Sequence, residues 1–200
     1  MIAGWLLGLA GVLLPGVALP GVAATDIDAA MAGSVPIHAE AFADAGGFTA
    51  GKGAGVILIW RPISDVWATL AHYEDRAEYI PRLKKLKVLE QQPGRVRVWQ
   101  EVDATVTTAR FTAWYELDEK AHVIRWKLDP SATDNTLRDV DGAYTMVAVD
   151  DRRTLLSYRS TIGTALHVPR AIQAYMTRKS LPELLGNIKK RVESGGTWKR

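Results

Sequence analysis

The middle of the chain alternates between apolar and polar residues, and this pattern constrains the fold more than any other feature. Between residues 83 and 162 it predicts about six antiparallel strands, separated by turns rich in Asp, Pro and Gly. Strands of this kind have one apolar face, which must be covered by another element. The amphipathic segment 168–193 predicts a long C-terminal helix that is large enough to provide the cover.

The residues before this run predict one more strand and two short helices. Residues 56–60 form a β-branched apolar run typical of a strand, and the first helix begins at Pro62. Residues 35–42 predict an edge strand, and the glycine-rich stretch 46–53 is interpreted as a turn. The chain therefore predicts an α+β fold, in which an antiparallel sheet of about six to seven strands packs on the C-terminal helix.

The first 24 residues contain no Lys, Arg, Asp, Glu or His. An apolar core, helix-breaking prolines and glycines, and small residues ending at Ala24 predict a signal peptide that is cleaved after Ala24. We therefore expect a periplasmic or secreted protein, and the alternative is a membrane anchor formed by residues 2–24. The predicted organisation is a signal peptide (1–24), an N-terminal extension with an edge strand (25–52) and one folded domain (53–196).

The composition excludes several classes of protein. The 200 residues are 48% hydrophobic and 24% charged, which is ordinary for a globular domain and excludes a disordered or fibrous chain. Because cysteine is absent, disulfides, thiolate nucleophiles and cysteine-bound zinc are excluded as well. The net charge of +3 is too small to indicate nucleic-acid binding, and we expect no nucleic-acid partner.

Two motifs suggest cofactors but lack essential parts. Residues 46–53 nearly match a phosphate-binding loop, but Gly53 has no hydroxyl to hold magnesium, and a strand rather than a helix follows. The four histidines are scattered along the chain, without the three or four convergent ligands that zinc needs. We therefore expect neither a cofactor nor a metal ion.

A set of motifs carries a family resemblance. Within 56–83, a strand is followed by a helix that starts with Pro, an aromatic-rich turn and Pro81; residues 142–144 and 181–185 add motifs in the sheet and the final helix. In these features, which cover about residues 54–194, the chain resembles the START/polyketide-cyclase superfamily, often called SRPBCC, and especially its coenzyme Q-binding and cyclase/dehydrase branch. The resemblance implies a helix-grip fold, in which a curved sheet wraps the C-terminal helix around an apolar cavity.

The same resemblance implies a hydrophobic ligand, such as a lipid, a quinone or an aromatic polyketide. Strand alternation places one set of side chains toward the helix, and we expect this set to bind the ligand. Buried Tyr hydroxyls and a Gln amide would need hydrogen-bond partners, which a ligand could supply. No catalytic residue is assigned, because the set contains no Asp, Glu, His or Lys. The predicted ligand-binding residues are Val98, Gln100, Phe111, Tyr115, Ile124, Trp126, Tyr144, Tyr158 and Ile172.

Three functions remain open on the sequence alone. The first is a binding or carrier protein for the hydrophobic ligand, and the second is a cyclase or dehydratase that acts in the same cavity. The third is an interaction module that acts through Trp99 and Trp114, which are otherwise expected to form a cross-strand pair. The basic residues within 82–87 and 189–191 predict either a solvated face or transient contact with an anionic membrane surface.

Overall fold

The elements follow the predicted order. The structure, a computed structural model, describes residues 17–44, 46–104, 107–164 and 170–200, and within 170–177 it describes the backbone alone. The elements are α1 (Ala24–Met31), β1 (Ile37–Ala43), β2 (Thr49–Ile59), α2 (Ile63–Ala71), α3 (Arg76–Tyr79), β3 (Leu83–Gln92), β4 (Arg95–Asp103), β5 (Thr108–Asp118), β6 (Val123–Leu128), β7 (Leu137–Asp150), β8 (Arg153–Thr164) and α4 (Arg170–Glu193).

The strands of the described residues form one 8-stranded antiparallel sheet in the order β1-β2-β8-β7-β6-β5-β4-β3. Strands β3 to β7 each pair with the next strand along the chain, as hairpins do, whereas β2 pairs with β8 and joins the two ends of the domain. The α+β helix-grip architecture is therefore confirmed, and the sheet has one strand more than the six to seven predicted.

The glycine-rich stretch 46–53 is the main correction to the prediction. The turn is confined to residues around Asp44, whose carboxylate accepts two backbone N–H groups at 2.8 and 2.9 Å. Strand β2 already begins at Thr49 and continues through the following glycines. A Cβ on Gly55 would approach Leu185 of α4 to 2.8 Å, closer than real contacts allow. Glycine here marks a close approach of the helix to the sheet.

The larger apolar cluster lies on the face of the sheet that α4 covers. It contains inward residues of the strands, such as Ile57 and Leu156, together with Leu185 and Ile188 of α4. Helices α2 and α3 pack on the same face through buried residues such as Leu70. Burial of this face is the main source of stability for the fold.

A smaller apolar cluster covers the opposite face of the same strands. It joins Leu19 and Ile27 to Val56, Leu58 and Leu155, whose positions alternate with those of the inward residues. The chain from residue 17 to α1 therefore covers the outer face of β2 and β8. Most of the predicted signal peptide, residues 1–16, lies outside the described residues. Among the residues that the structure describes, no helix is long and apolar enough to cross a membrane.

Candidate functional site

The predicted ligand-binding residues lie together on the face of the sheet that α4 covers. Val98, Phe111, Tyr115, Ile124, Trp126, Tyr144 and Tyr158 belong to the larger apolar cluster, and Gln100 is buried beside them. The exception is Ile172, whose side chain lies outside the described residues. Alternation along the strands is enough to explain this placement, because residues two apart point to the same side.

Five aromatic side chains, Tyr73, Tyr115, Trp126, Tyr144 and Tyr158, form a continuous row across this face. Ring centroids are 5.0 Å apart between Tyr73 and Tyr115, 5.8 Å between Tyr115 and Trp126, and 5.0 Å between Trp126 and Tyr144. Tyr158 closes the row at 5.4 Å from Tyr144 and 5.7 Å from Trp126. Two of these contacts, Tyr115 with Trp126 and Tyr144 with Tyr158, join residues directly opposite each other on paired strands.

Gly142 makes room for the centre of the aromatic row. It lies opposite Trp126 in the pairing of β6 with β7, and a Cβ added to it would collide with the indole ring. The ring can therefore lie against the backbone of the neighbouring strand. This contact gives a physical reason for the glycine in the 142–144 motif.

The tyrosines of the row keep their protons at neutral pH. Burial raises the pKa of Tyr73, Tyr115 and Tyr144 above its usual range and raises the pKa of Tyr158 to about 12. Their hydroxyls can therefore donate hydrogen bonds to a ligand oxygen. The Tyr115 hydroxyl also accepts a hydrogen bond from Nε2 of Gln100 at 3.0 Å.

Arg76 is a site residue that the sequence analysis missed. Only 5% of it is exposed, and its guanidinium lies 3.9 Å from the ring centroid of Tyr73 and 5.3 Å from that of Tyr115. Its Nη2 donates to the carbonyl of Leu70 at the end of α2. Its Nε and the Tyr73 hydroxyl are buried without a hydrogen-bond partner. A charged donor and a neutral donor are thus left unsatisfied side by side.

A signal for Arg76 was present in the sequence. Tyr73, Arg76 and Tyr79 are spaced three residues apart, which places them on one side of a helical turn. Both tyrosines are buried, so the arginine between them is turned inward as well. The second of the two predicted short helices, α3, spans only Arg76–Tyr79, and the turn before it keeps Tyr73 on the same side.

A pocket of about 580 Å³ opens between β1, β2, β8 and Arg178 of α4. Its size lies within the range usual for small-molecule sites. Ser160 lines this pocket and follows Tyr158 by two residues on β8, which places both on one face of the strand. None of the described lining residues belongs to the aromatic row, and several of them, such as Lys52 and Arg159, have the parity of the opposite face of the sheet. Among residues 17–44, 46–104, 107–164 and 178–200, no group of three or more acidic or histidine side chains could hold a metal ion.

The outer face of the sheet differs from the prediction. The expected cross-strand pair of Trp99 and Trp114 is not formed, because the register sets Trp99 opposite Thr112 and Trp114 opposite Arg97. Each ring has a polar neighbour instead. Nε1 of Trp99 donates to Asp134 at 2.7 Å, and the guanidinium of Arg95 lies 3.7 Å from the ring centroid of Trp114.

The first basic run is engaged in ion pairs on the surface. Lys84 lies 3.6 Å from Asp103, and Lys85 lies 3.3 Å from Glu101. These pairs reduce the positive charge that the strand presents to solvent. Contact of the basic residues with an anionic membrane stays a prediction.

A curved antiparallel sheet that wraps a C-terminal helix and carries an aromatic inner face defines the helix-grip class. Residues 52–193 match the family described as polyketide cyclase/dehydrase and lipid transport, and the chain belongs to this family. The match covers more than half of the chain and extends from β2 to the last residue of α4. No curated protein matches the chain in sequence.

Solved structures with the same fold come from proteins of different roles. The Zhui aromatase/cyclase from Streptomyces sp. R1128 is 20% identical, with a TM-score of 0.59, and the match covers 74% of this chain and 98% of that one. A START superfamily protein from Mycobacterium smegmatis is 16% identical, with a TM-score of 0.63 and coverages of 72% and 97%. A STAR-related lipid transfer protein from Xanthomonas axonopodis is 11% identical, with a TM-score of 0.62 and coverages of 77% and 98%. At these identities the similarity establishes the fold.

Proposed function

We propose that the protein binds and carries a hydrophobic small molecule, such as a lipid, a quinone or an aromatic polyketide, between the sheet and α4. The aromatic row is the observation that supports this function best. It combines a continuous aromatic surface with protonated hydroxyls, which is the usual make-up of a site for an apolar ligand with a few polar groups.

The chemistry of the row favours binding over catalysis. A general acid or base works best when its pKa lies near the operating pH, and burial moves the tyrosine pKa values away from neutrality. The other described side chains of the row and its cluster are apolar, and the buried polar groups beside them include Gln100, Arg76 and Asn187 but no carboxylate or histidine. A cyclase or dehydratase acting in the same cavity is the second candidate, and the presence of a cyclase among the structural neighbours supports it.

The function is tested first by identifying what the protein carries. Protein purified from its own host under native conditions is analysed by mass spectrometry, and its organic extract is then examined for small molecules. We expect a bound apolar compound at a ratio near one per chain. Protein that repeatedly emerges without any such compound, and that does not bind a neutral dye such as Nile red, would contradict the proposal.

The position of the site is tested with two tryptophans from opposite faces. Trp126→Ala, in the row, should weaken Nile red binding strongly and reduce stability by less than the about 3–5 kcal/mol expected for a packed core aromatic residue. Trp114→Ala, on the outer face, is the matched control and should leave dye binding unchanged. A large loss of stability in Trp126→Ala with unchanged dye affinity would show that Trp126 is ordinary core.

We also propose that the protein is exported to the periplasm or secreted, with residues 1–24 as its signal and a membrane anchor as the alternative. The uncharged apolar segment before Thr25 supports this proposal. N-terminal sequencing of exported protein should begin at Thr25. Recovery of intact Met1 in the membrane fraction would mean an anchor. Cleavage after Ala24 would remove Leu19 from the smaller apolar cluster. A mature protein that begins before Leu19 would keep this contact, and it would contradict cleavage after Ala24.

A further inference from the structure

We propose that Arg76 and the Tyr73 hydroxyl bind the carboxylate of an apolar organic acid. This inference rests on the proposed function, because the apolar body of the acid would lie along the aromatic row. It goes further by assigning the polar end of the ligand to two named side chains and by giving it a charge.

The first step is the charge of Arg76. A guanidinium stays protonated in proteins, and burying it without a negative partner is strongly unfavourable. Arg76 is 5% exposed, and its neighbours are the carbonyl of Leu70 and the rings and hydroxyls of buried tyrosines. These neutral groups offset only part of the lost hydration, so the site is short of one negative charge.

The second step is that the chain holds no carboxylate to supply this charge. Residues 1–16, 45, 105–106 and 165–177 contain no Asp or Glu, so every acidic side chain of the protein lies in the described part. None of them forms an ion pair or a hydrogen bond with Arg76. The acidic neighbours in sequence have other partners: Asp75 pairs with Arg191, and Glu74 lies 3.4 Å from His72.

The third step is the arrangement of the free donors. Nε of Arg76 and the hydroxyl of Tyr73 both lack partners, and the guanidinium lies 3.9 Å from the centroid of the Tyr73 ring. A carboxylate has two oxygens and accepts hydrogen bonds from a guanidinium and a hydroxyl together. Such a group would satisfy both donors and neutralise the charge, which a neutral alcohol or ester cannot do.

The fourth step is the link to the apolar part of the site. Tyr73 is the first member of the aromatic row, and its ring lies 5.0 Å from that of Tyr115. A ligand with its carboxylate at Arg76 would therefore have its body against Tyr115 and Trp126. The competing explanation is structural, since Arg76 also caps the C-terminal end of α2 through Leu70 and stacks on Tyr73.

The experiment compares ligands that differ only in the polar end. Affinities for decanoic acid and decanol are measured by displacement of Nile red near neutral pH, and the comparison is repeated with naphthoic acid and naphthylmethanol. Wild-type protein should bind at least one acid about 10-fold or more tightly than its alcohol, as expected for charge-assisted hydrogen bonds. In Arg76→Met this ratio should fall to near one while the affinity for the alcohol is kept. Tyr73→Phe should lower the ratio by a smaller factor.

Arg191→Lys is the matched control, because Arg191 is equally buried but paired with carboxylates, and it should keep the wild-type ratio. If Arg76→Met does not fold, Arg76→Lys and Tyr73→Phe provide the test. Arg76→Lys keeps the positive charge at this position, and Tyr73→Phe keeps the shape of the ring without its hydroxyl. Wild-type protein that binds acid and alcohol equally, or an unchanged ratio in Arg76→Met and Tyr73→Phe, would overturn this inference and leave the carrier function standing. Failure of wild-type protein to bind any of the four compounds or Nile red would overturn both.

Discussion

Arg76 and Arg191 are each 5% exposed, yet they lie in opposite electrostatic surroundings. Arg191 forms ion pairs with Asp75 and with Glu78, the latter at 3.1 Å, and donates to the carbonyl of Trp198 at 2.9 Å. Arg76 has one carbonyl and two tyrosine rings, and no carboxylate. The two arginines are thus close in the structure and equally buried, but only the charge of Arg191 is neutralised by carboxylates of the chain.

The difference separates a structural arginine from a candidate binding residue. Arg191 ties the end of α4 to the start of α3, and both of its carboxylate partners come from the chain itself. Nε lacks a hydrogen-bond partner in both arginines, but only Arg76 has no carboxylate beside it and lies next to the aromatic row. Strongly perturbed or uncompensated charges inside a protein occur preferentially at functional sites, so this contrast supports the assignment of the ligand's polar end to Arg76.

The largest expected effect is on stability at Arg191. Arg191→Met should lower the free energy of unfolding, because it leaves Asp75 without its cation and Glu78 with Lys199 alone. Arg76→Met in ligand-free protein should leave stability unchanged or raise it, because it removes a charge that has no partner. Urea denaturation of both variants measures the difference. A loss in Arg76→Met as large as that in Arg191→Met would make both arginines structural.

The next effect is stabilisation by ligand. At a free concentration of about 100 times its Kd, decanoic acid should stabilise wild-type protein by about 2.7 kcal/mol, since it binds only the folded state. Arg191→Lys should be stabilised to the same extent and Arg76→Met by much less. Thermal denaturation with and without the acid provides the measurement. Equal shifts in all three proteins would mean that the acid binds without contacting Arg76.

A smaller effect is expected at Gly142. Gly142→Ala should destabilise the protein by about 1–3 kcal/mol, because its Cβ would displace the Trp126 ring against which it lies. The displaced ring should also weaken Nile red binding. Gly186→Ala is the control, because nothing lies within 4 Å of a Cβ added there, and it should leave dye binding unchanged. Unchanged dye binding in Gly142→Ala would place the ligand away from Trp126.

The smallest effect is on the pH dependence of stability, through Glu78, which is an ion-pair partner of Arg191. A hydrogen bond from Lys199, with help from Arg191, holds the pKa of Glu78 below its usual 4.5. A lowered folded-state pKa contributes stability above the unfolded value, and this contribution is lost as the pH falls through the folded value. Urea denaturation at about pH 7 and about pH 4 should therefore show a smaller loss in Glu78→Gln than in wild-type protein. An equal loss would mean that Glu78 does not contribute.

Much of the inner face could be predicted from sequence because alternation is a local property. Tyr115, Trp126 and Tyr158 share the apolar parity of their strands, and a register slip by one residue would have buried their charged neighbours. The strand boundaries from β3 to β8 followed from the same pattern and from the turn residues between them. The long helix followed from its apolar stripe, although its first side chains lie outside the described residues.

The features that the sequence left undetermined depend on groups far apart along the chain. Glycines that look like a turn belong to β2, because Gly51 and Gly53 pair with β1 on one side and with the distant strand β8 on the other. The spacing of Tyr73, Arg76 and Tyr79 can indicate that Arg76 is turned inward, but nothing local indicates which of the two arginines has a carboxylate partner. Only the folded chain decides that Asp75 and Glu78 reach Arg191 while Arg76 meets tyrosine rings. Alternation determines which way a side chain points, but the charge it meets there depends on which distant segments the tertiary structure packs against it.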